Sequence, residues 1–159
     1  MAGASNSSYA GGLSAVLRGR VENCEVEDVV VEDLDDGKSM AIGGIAGYAT
    51  NSSLVRNCYV QGLEINVKNN RSLGVGGIVG RAIGGLVTIE DCYSIGKINC
   101  NDDYIGGIVG NDTNSNIQNC YSKVDILGAG DNIGGIVGFD SNATNYKNNI
   151  ALGSIYSSK

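Results

Sequence analysis

Two short phrases recur along the chain in a constant order, and their spacing leaves few folds open. The first is Gly-Gly-Ile-Val-Gly, seen whole at Gly76–Gly80, Gly106–Gly110 and Gly134–Gly138, as Gly43-Gly44-Ile45-Ala46-Gly47, and as Gly11-Gly12-Leu13 near the start. The second is Asn-Cys-Tyr-Ser, whole at Asn119–Ser122, with relatives at Asn23-Cys24, Asn57-Cys58-Tyr59 and Asp91-Cys92-Tyr93-Ser94, and a worn form at Asn149-Ile150-Ala151. A period of roughly 28 to 34 residues marks a stack of equivalent units, because one such unit cannot bury its apolar face alone. The phrases divide the chain into five units, residues 9–39, 40–72, 73–102, 103–130 and 131–159, within one domain spanning 1–159.

Each unit reads as a short apolar segment, a polar loop, a Val/Ile-Cys segment and a third short segment such as Leu63-Glu64-Ile65, Gly96-Lys97-Ile98 or Val124-Asp125-Ile126. The segments are strand-length and β-branched, and no 3.6-residue period follows a helix cap. Three short strands per unit, the same residue type returning at the same phase, predict an all-β parallel β-helix of about five coils. An antiparallel sandwich would not require that phase. Composition agrees. With 25 Gly, 1 Phe, and neither Trp nor Pro, the interior must be built from Ile, Val, Leu, Ala and Cys.

Aligning the units on cysteine separates inside from outside. Three residues before it stand Val21, Val55, Ile89 and Ile117; at the column stand Cys24, Cys58, Cys92, Cys120 and Ile150. Side chains alternate with period two on a strand, so positions −3 and 0 share an interior only if a bend lies between them. The residues at −1, Asn23, Asn57, Asp91, Asn119 and Asn149, suit that bend, since Asn and Asp tolerate left-handed backbone. They predict a ladder of amides bonded from coil to coil at about 4.8 Å per step.

The cysteine column is expected to be buried structure. Zinc sites take cysteines two to four residues apart. Parallel neighbours also hold their Cβ atoms too far apart for a disulfide, so neither metal nor cofactor is expected. Cys100 matches no column, and its exposure is left open. The Gly-Gly phrase lacks both the order and the Lys-Ser/Thr of a phosphate loop, and instead marks close backbone approach. Tyr59, Tyr93 and Tyr121, with Glu25 and Ala151 at the ends, fall outward at +1; they are read as an external ladder and as candidate ligand-facing residues.

Net charge −6 argues against nucleic-acid binding, which needs a basic stripe. No apolar run approaches the roughly 18 residues of a membrane span, and Met1–Ser8 has no signal-peptide character, so membrane insertion is not expected. The acidic run Glu22, Glu25, Glu27, Asp28, Glu32, Asp33, Asp35 and Asp36 is read as a solvated terminus or a loose Ca²⁺ contact rather than an active site.

The alternating phrases Gly-Gly-Ile-Val-Gly and Asn-Cys-Tyr-Ser resemble the GLUG repeat over about residues 9–156. That repeat occurs in large bacterial surface and secreted proteins, among them adhesin-like proteins and the non-catalytic parts of IgA-specific metallopeptidases. The resemblance implies a right-handed parallel β-helix, an extracellular module of a longer secreted chain, and a role as stalk or binding surface for a host protein or glycan. It implies no enzymatic function: the metal-binding motif of the family's enzymes lies elsewhere, and this chain has 0 His. Specificity would sit in the turns Thr50–Ser53, Asn111–Asn114 and Asp140–Asn142. The alternative is a structural β-helix that stacks end to end into a filament through its unpaired ends.

Overall fold

The computed structural model describes residues 7–32, 39–68, 71–101, 103–142 and 145–157. Of the residues singled out above, Met1–Asn6, Asp33, Asp35 and Asp36 lie outside the described ones. The fold is a β-solenoid in which every strand pairing is parallel, and no described residue is helical.

Four sheets run the length of the coil. The first comprises Ser7–Gly11, Ser39–Gly43, Ser72–Gly76, Ile105–Gly106 and Ile133–Gly134. The second comprises Ser14–Leu17, Ala46–Ala49, Val79–Ala82, Val109–Asp112 and Val137–Asp140. The third holds Arg20–Glu22, Leu54–Arg56, Val87–Glu90, Ser115–Gln118 and Tyr146–Lys147. The fourth is built on the long strands Tyr59–Val67, Tyr93–Cys100 and Tyr121–Gly128. It is flanked by the split strands Glu25–Glu27 with Val30–Glu32 and Ile150–Ala151 with Ile155–Ser157. Among the described residues, each of the five coils therefore contributes to four sheets where three strands were expected, the fourth-sheet strand being split in the first and fifth coils. The Gly-Gly phrase is itself a corner that splits its segment in two, and the expected third segment simply continues the strand that begins at tyrosine.

The glycines make the first corner possible by their lack of volume, not by left-handed backbone, since none of those in the phrases has a positive φ. A Cβ on Gly44 would overlap the Gly77 carbonyl of the next coil and the Val60 side chain; one on Gly47 would overlap the Ala10 backbone of the first sheet. The Ile that follows turns inward and is fully buried at Ile45, Ile78 and Ile108. Coil-to-coil bonding does not lapse at the bend, because the Ile78 carbonyl accepts from both the Ile45 N–H (2.9 Å) and the Ala46 N–H (3.1 Å).

The second corner lies between the third and fourth sheets, at the Asn-Cys phrase. Asn23, Asn57, Asp91 and Asn119 have φ of 50–56°, in the left-handed region that Asn and Asp tolerate best. Val55, Ile89 and Ile117 before the bend and Cys58, Cys92 and Cys120 after it are all buried. These side chains join Ile42, Ile65, Ile98 and Ile126 in one continuous core. Burying an Ile of this kind stabilises by about 1.5–3 kcal/mol, and the core is assembled almost wholly from such aliphatic layers.

In the fifth coil the register departs from the sequence alignment by one residue. Tyr121 pairs with Ile150 and Ser122 with Ala151, so Asn148 (φ 54°), not Asn149, takes the corner. Asn149 takes the cysteine place, and Ile150, not Ala151, the tyrosine place. The doubled Asn148-Asn149 supplies two candidates for a corner, and only the backbone pairing selects between them. Cys100 is fully buried in register with Val67 and Gly128, so it does stand in a column, on the inner face of the fourth sheet.

Candidate functional site

The inner columns are built as a structural seam. Each thiol donates to the carbonyl two residues back: Cys24 to Glu22, Cys58 to Arg56 (3.1 Å), Cys92 to Glu90 (3.1 Å) and Cys120 to Gln118 (3.3 Å). The sulfurs of Cys58, Cys92 and Cys120 also reach the coil below, at the carbonyls of Val21, Val55 and Ile89. The carbonyls of Arg56, Glu90 and Gln118 also accept from the corner N–H groups of Asn23, Asn57 and Asp91 (3.1 Å each), so the thiol adds a second, weak donor to carbonyls that stay in the coil-to-coil ladder. All five cysteines are free thiols. Sharing its proton with Cys120 and Cys58, together with burial, pushes the Cys92 thiol upward, and burial raises Cys24. Asn149 performs the same task in the fifth coil. Its Nδ2 donates to the Ile117 carbonyl (2.9 Å), and its Oδ1 accepts from the Cys120 N–H (2.9 Å).

The corner amides bond in two runs. Asn57 Nδ2 donates to Asn23 Oδ1 (2.6 Å); Asn119 Nδ2 donates to Asp91 Oδ1 (3.0 Å); Asn148 Nδ2 donates to Asn119 Oδ1 (3.2 Å). Between Asn57 and Asp91 no such bond forms among the described residues, the Asn57 amide being turned to Asn23. The Asn57 Oδ1 accepts instead from the Tyr59 hydroxyl.

Outside the second corner, Tyr59 and Tyr93 stack face to face, with centroids 4.4 Å apart and planes 16° apart. Tyr121 is in register with Tyr93, but no ring contact joins them among the described residues. The faces of Tyr59 and Tyr93 are thus directed at each other, and their outward contribution is edge and hydroxyl. Parallel to this row runs a charged column on the third sheet. Arg56 bridges Glu90 and Glu22 (3.4 Å to Glu22), and Gln118 Nε2 donates to Glu90 (2.6 Å). The hydrogen bonds from Gln118 and Arg56 hold the Glu90 carboxyl below its ordinary range.

Further along the fourth sheet, the outward side chains form a shallow groove of about 330 Å³. Glu64, Lys97 and Asp125 stand in register in one row, and Asn66, Asn99, Leu127 and Tyr156 in the next. Lys97 lies between the two carboxylates without an ion pair to either among the described residues. Asn66 Nδ2 donates to Glu64 (3.2 Å). Leu127 and Tyr156 are 44% and 59% exposed. Sequence reasoning reached Tyr59, Tyr93 and Tyr121 but missed this groove. The available signal was the alternation Glu64-x-Asn66, Lys97-x-Asn99 and Asp125-x-Leu127, which places both rows on one outer face.

The turns expected to carry specificity are largely self-satisfied. Ser53 is buried and its hydroxyl donates to the Leu17 carbonyl (3.1 Å), while Thr50 N–H donates to Ser53 Oγ (3.1 Å). Asp112 is fully buried. It accepts from the N–H groups of Thr113 (2.8 Å) and Asn114 (3.3 Å), from the Ser115 hydroxyl and from the Tyr146 hydroxyl (2.7 Å). Asp140 Oδ1 accepts from Asn142 N–H (2.9 Å). Asn51 and Ser52 remain exposed at the tip of the first turn. Ala143 and Thr144, beyond the third turn, lie outside the described residues. No cluster of three or more His, Cys, Asp or Glu suited to a metal ion is found among the described residues, and no described helix is long and apolar enough to cross a membrane.

No curated protein and no solved structure matches the chain. Residues 38–66 and 102–127 match the family model described as the GLUG motif. Each matched stretch runs from the first sheet, round both corners, to the outer rows of the fourth, so one motif is one turn of the solenoid. Two turns of this solenoid therefore carry the GLUG motif.

Proposed function

We propose that the chain is a non-catalytic module of a bacterial surface protein, a rigid stalk whose fourth-sheet face binds a host glycan. The observation that carries the reading is the groove in which Asn66, Asn99, Glu64, Asp125 and Lys97 stand beside an exposed tyrosine ring, Tyr156. Amides and carboxylates fixed about 4.8 Å apart on a sheet offer paired donors and acceptors to sugar hydroxyls. An exposed aromatic ring offers an apolar face to a pyranose. The resemblance to repeats of secreted adhesin-like proteins supports an extracellular setting, and buried thiols free of disulfides are compatible with it because the column geometry disfavours bridging. A glycan array probed with the chain tests the reading. Binding to a defined glycan class should weaken at least about tenfold in Tyr156→Ala and Asn99→Ala with unchanged thermal stability. Absence of glycan binding, or binding indifferent to both substitutions, rejects it.

A further inference from the structure

Along the outside of the first corner, side chains pair diagonally between the first and second sheets. Tyr9 stacks on Tyr48 of the next coil, with ring centroids 5.2 Å apart, and Tyr104 meets Phe139 of the next coil at 5.1 Å. The same offset sets Ala41 beside Arg81 and Gly74 beside Asn111, and a Cβ on Gly74 would come within 3.0 Å of Asn111 Cβ. Two aromatic pairs thus bracket two coils in which the first sheet offers only a methyl group and a hydrogen. Arg81 stands in that interval, in register with Tyr48 on one side and Asn111 on the other. Its guanidinium carbon lies 6.0 Å from the Tyr48 ring centroid.

Arg81 is an unmatched charge. Every other described Lys and Arg is exposed except Arg56, and Arg56 has Glu22 and Glu90. Arg81 is half-buried and makes no ion pair among the described residues, in a chain with 17 Asp and Glu. Its Nε is buried without an acceptor, the one such side-chain atom among the described residues, while its two terminal nitrogens stay within reach of solvent. A guanidinium already stripped of part of its water has met part of the cost of pairing with an anion, and attracts one more strongly than a fully hydrated group would.

We infer that Arg81 anchors the carboxylate of an acidic sugar, held between the two aromatic pairs on the outside of the second sheet. The terminal N–H groups offer both carboxylate oxygens a planar fork, and the Tyr48 ring attracts the guanidinium from one side. Asn111 Nδ2 donates to the Leu73 carbonyl (3.1 Å), which fixes the amide and leaves its Oδ1 to accept from a ring hydroxyl. The half-buried rings of Tyr104 and Phe139 supply an apolar wall for the sugar's C–H groups. A neutral sugar would leave the guanidinium unpaired. A bare carboxylate would use the fork alone, whereas an acidic sugar uses the amide and the wall as well.

This site stands or falls independently of the fourth-sheet groove, because it lies on the second sheet and its test reads signals from Arg81 and Asn111 themselves. Sodium glucuronate, glucose and N-acetylglycine are titrated in turn into the isotope-labelled chain and followed by NMR. Glucuronate should shift the Arg81 Nε–H and Asn111 side-chain amide signals saturably, while glucose and N-acetylglycine should bind at least about tenfold more weakly. Arg81→Gln should weaken glucuronate binding by about tenfold or more, and Arg81→Lys should weaken it less, since a point charge then replaces the fork. Asn111→Asp sets a carboxylate of the chain's own beside Arg81 and should abolish binding; thermal unfolding confirms the fold of each variant. No saturable shift with glucuronate, equal binding of glucose or of N-acetylglycine, or binding indifferent to Arg81→Gln would each overturn the inference.

Discussion

The corner at Asn57 separates backbone strain from side-chain bonding, and three variants measure each. Asn57 sits at φ 50°, donates to Asn23 and accepts from the Tyr59 hydroxyl. Alanine at this φ costs roughly 1–2 kcal/mol in backbone strain. Losing one exposed and one partly buried hydrogen bond costs about 0.5–1 kcal/mol each. Asn57→Ala should therefore destabilise by about 2–4 kcal/mol, which at about 2–4 °C per kcal/mol for a chain of this size lowers Tm by roughly 4–16 °C. Asn57→Gly loses the same bonds without the strain and should cost about half as much, despite glycine's greater freedom when unfolded. Asn57→Asp keeps the backbone preference but loses the donor to Asn23 and places a carboxylate in line with Asp91, so its loss should shrink as added salt screens the repulsion. Thermal and urea unfolding of the three variants supplies the comparison. Should alanine prove as stable as glycine, the left-handed corner is not what the asparagine column serves, and the account of the bend is wrong.

Three further perturbations test the interior. Gly107→Ala sets a methyl against the Gly135 carbonyl and the Ser122 side chain, whereas Gly19 has open space around it; the first should cost about 1–3 kcal/mol or more in chemical denaturation and Gly19→Ala almost nothing. Toward an aromatic disulfide reagent, Cys24 alone should react in the folded protein, slowly because burial raises its thiol, while Cys58, Cys92, Cys100 and Cys120 should react at the rate of unfolding; rapid modification of Cys92 would contradict the seam. Tyr146→Phe removes a donor from the buried Asp112 and should destabilise by about 1–3 kcal/mol, with exposed Tyr156→Phe as the neutral control. Burial and the Asp112 carboxylate raise the Tyr146 hydroxyl above its ordinary value of 10.0, so the folded state holds that proton more tightly than the unfolded. Its stabilisation is complete below pH 10 and is lost as pH climbs higher, and the Phe variant should lack that alkaline loss.

The terminal coils show how one position can change chemistry while keeping its task. Cysteine serves inside the column because a small, weakly polar group is tolerated in a dry core. In the fifth coil Asn149 takes the same place with a full amide that bonds both the Ile117 carbonyl and the Cys120 N–H. A sequence comparison scores this as the loss of the motif. Physically the position keeps its hydrogen-bonding task with a different donor.

Much of the column was legible in advance, since a parallel coil repeats each environment every turn and the residues repeat with it. The aliphatic layers, the asparagine bend between Val55 and Cys58 and the outward tyrosines all follow from counting phase, because period-two alternation and the left-handed preference of asparagine are local properties. Four things were decided only by tertiary structure. The Gly-Gly phrase became a corner because backbones of neighbouring sheets close on it, a steric fact between coils. Asn148 displaced Asn149 because pairing with Tyr121 set the register. Cys100 was buried because the long fourth-sheet strand carries it inward opposite Val67. The groove beside Tyr156 arose where side chains from three coils meet on one face, and the contents of such a surface depend on what stands above and below, which no single repeat contains.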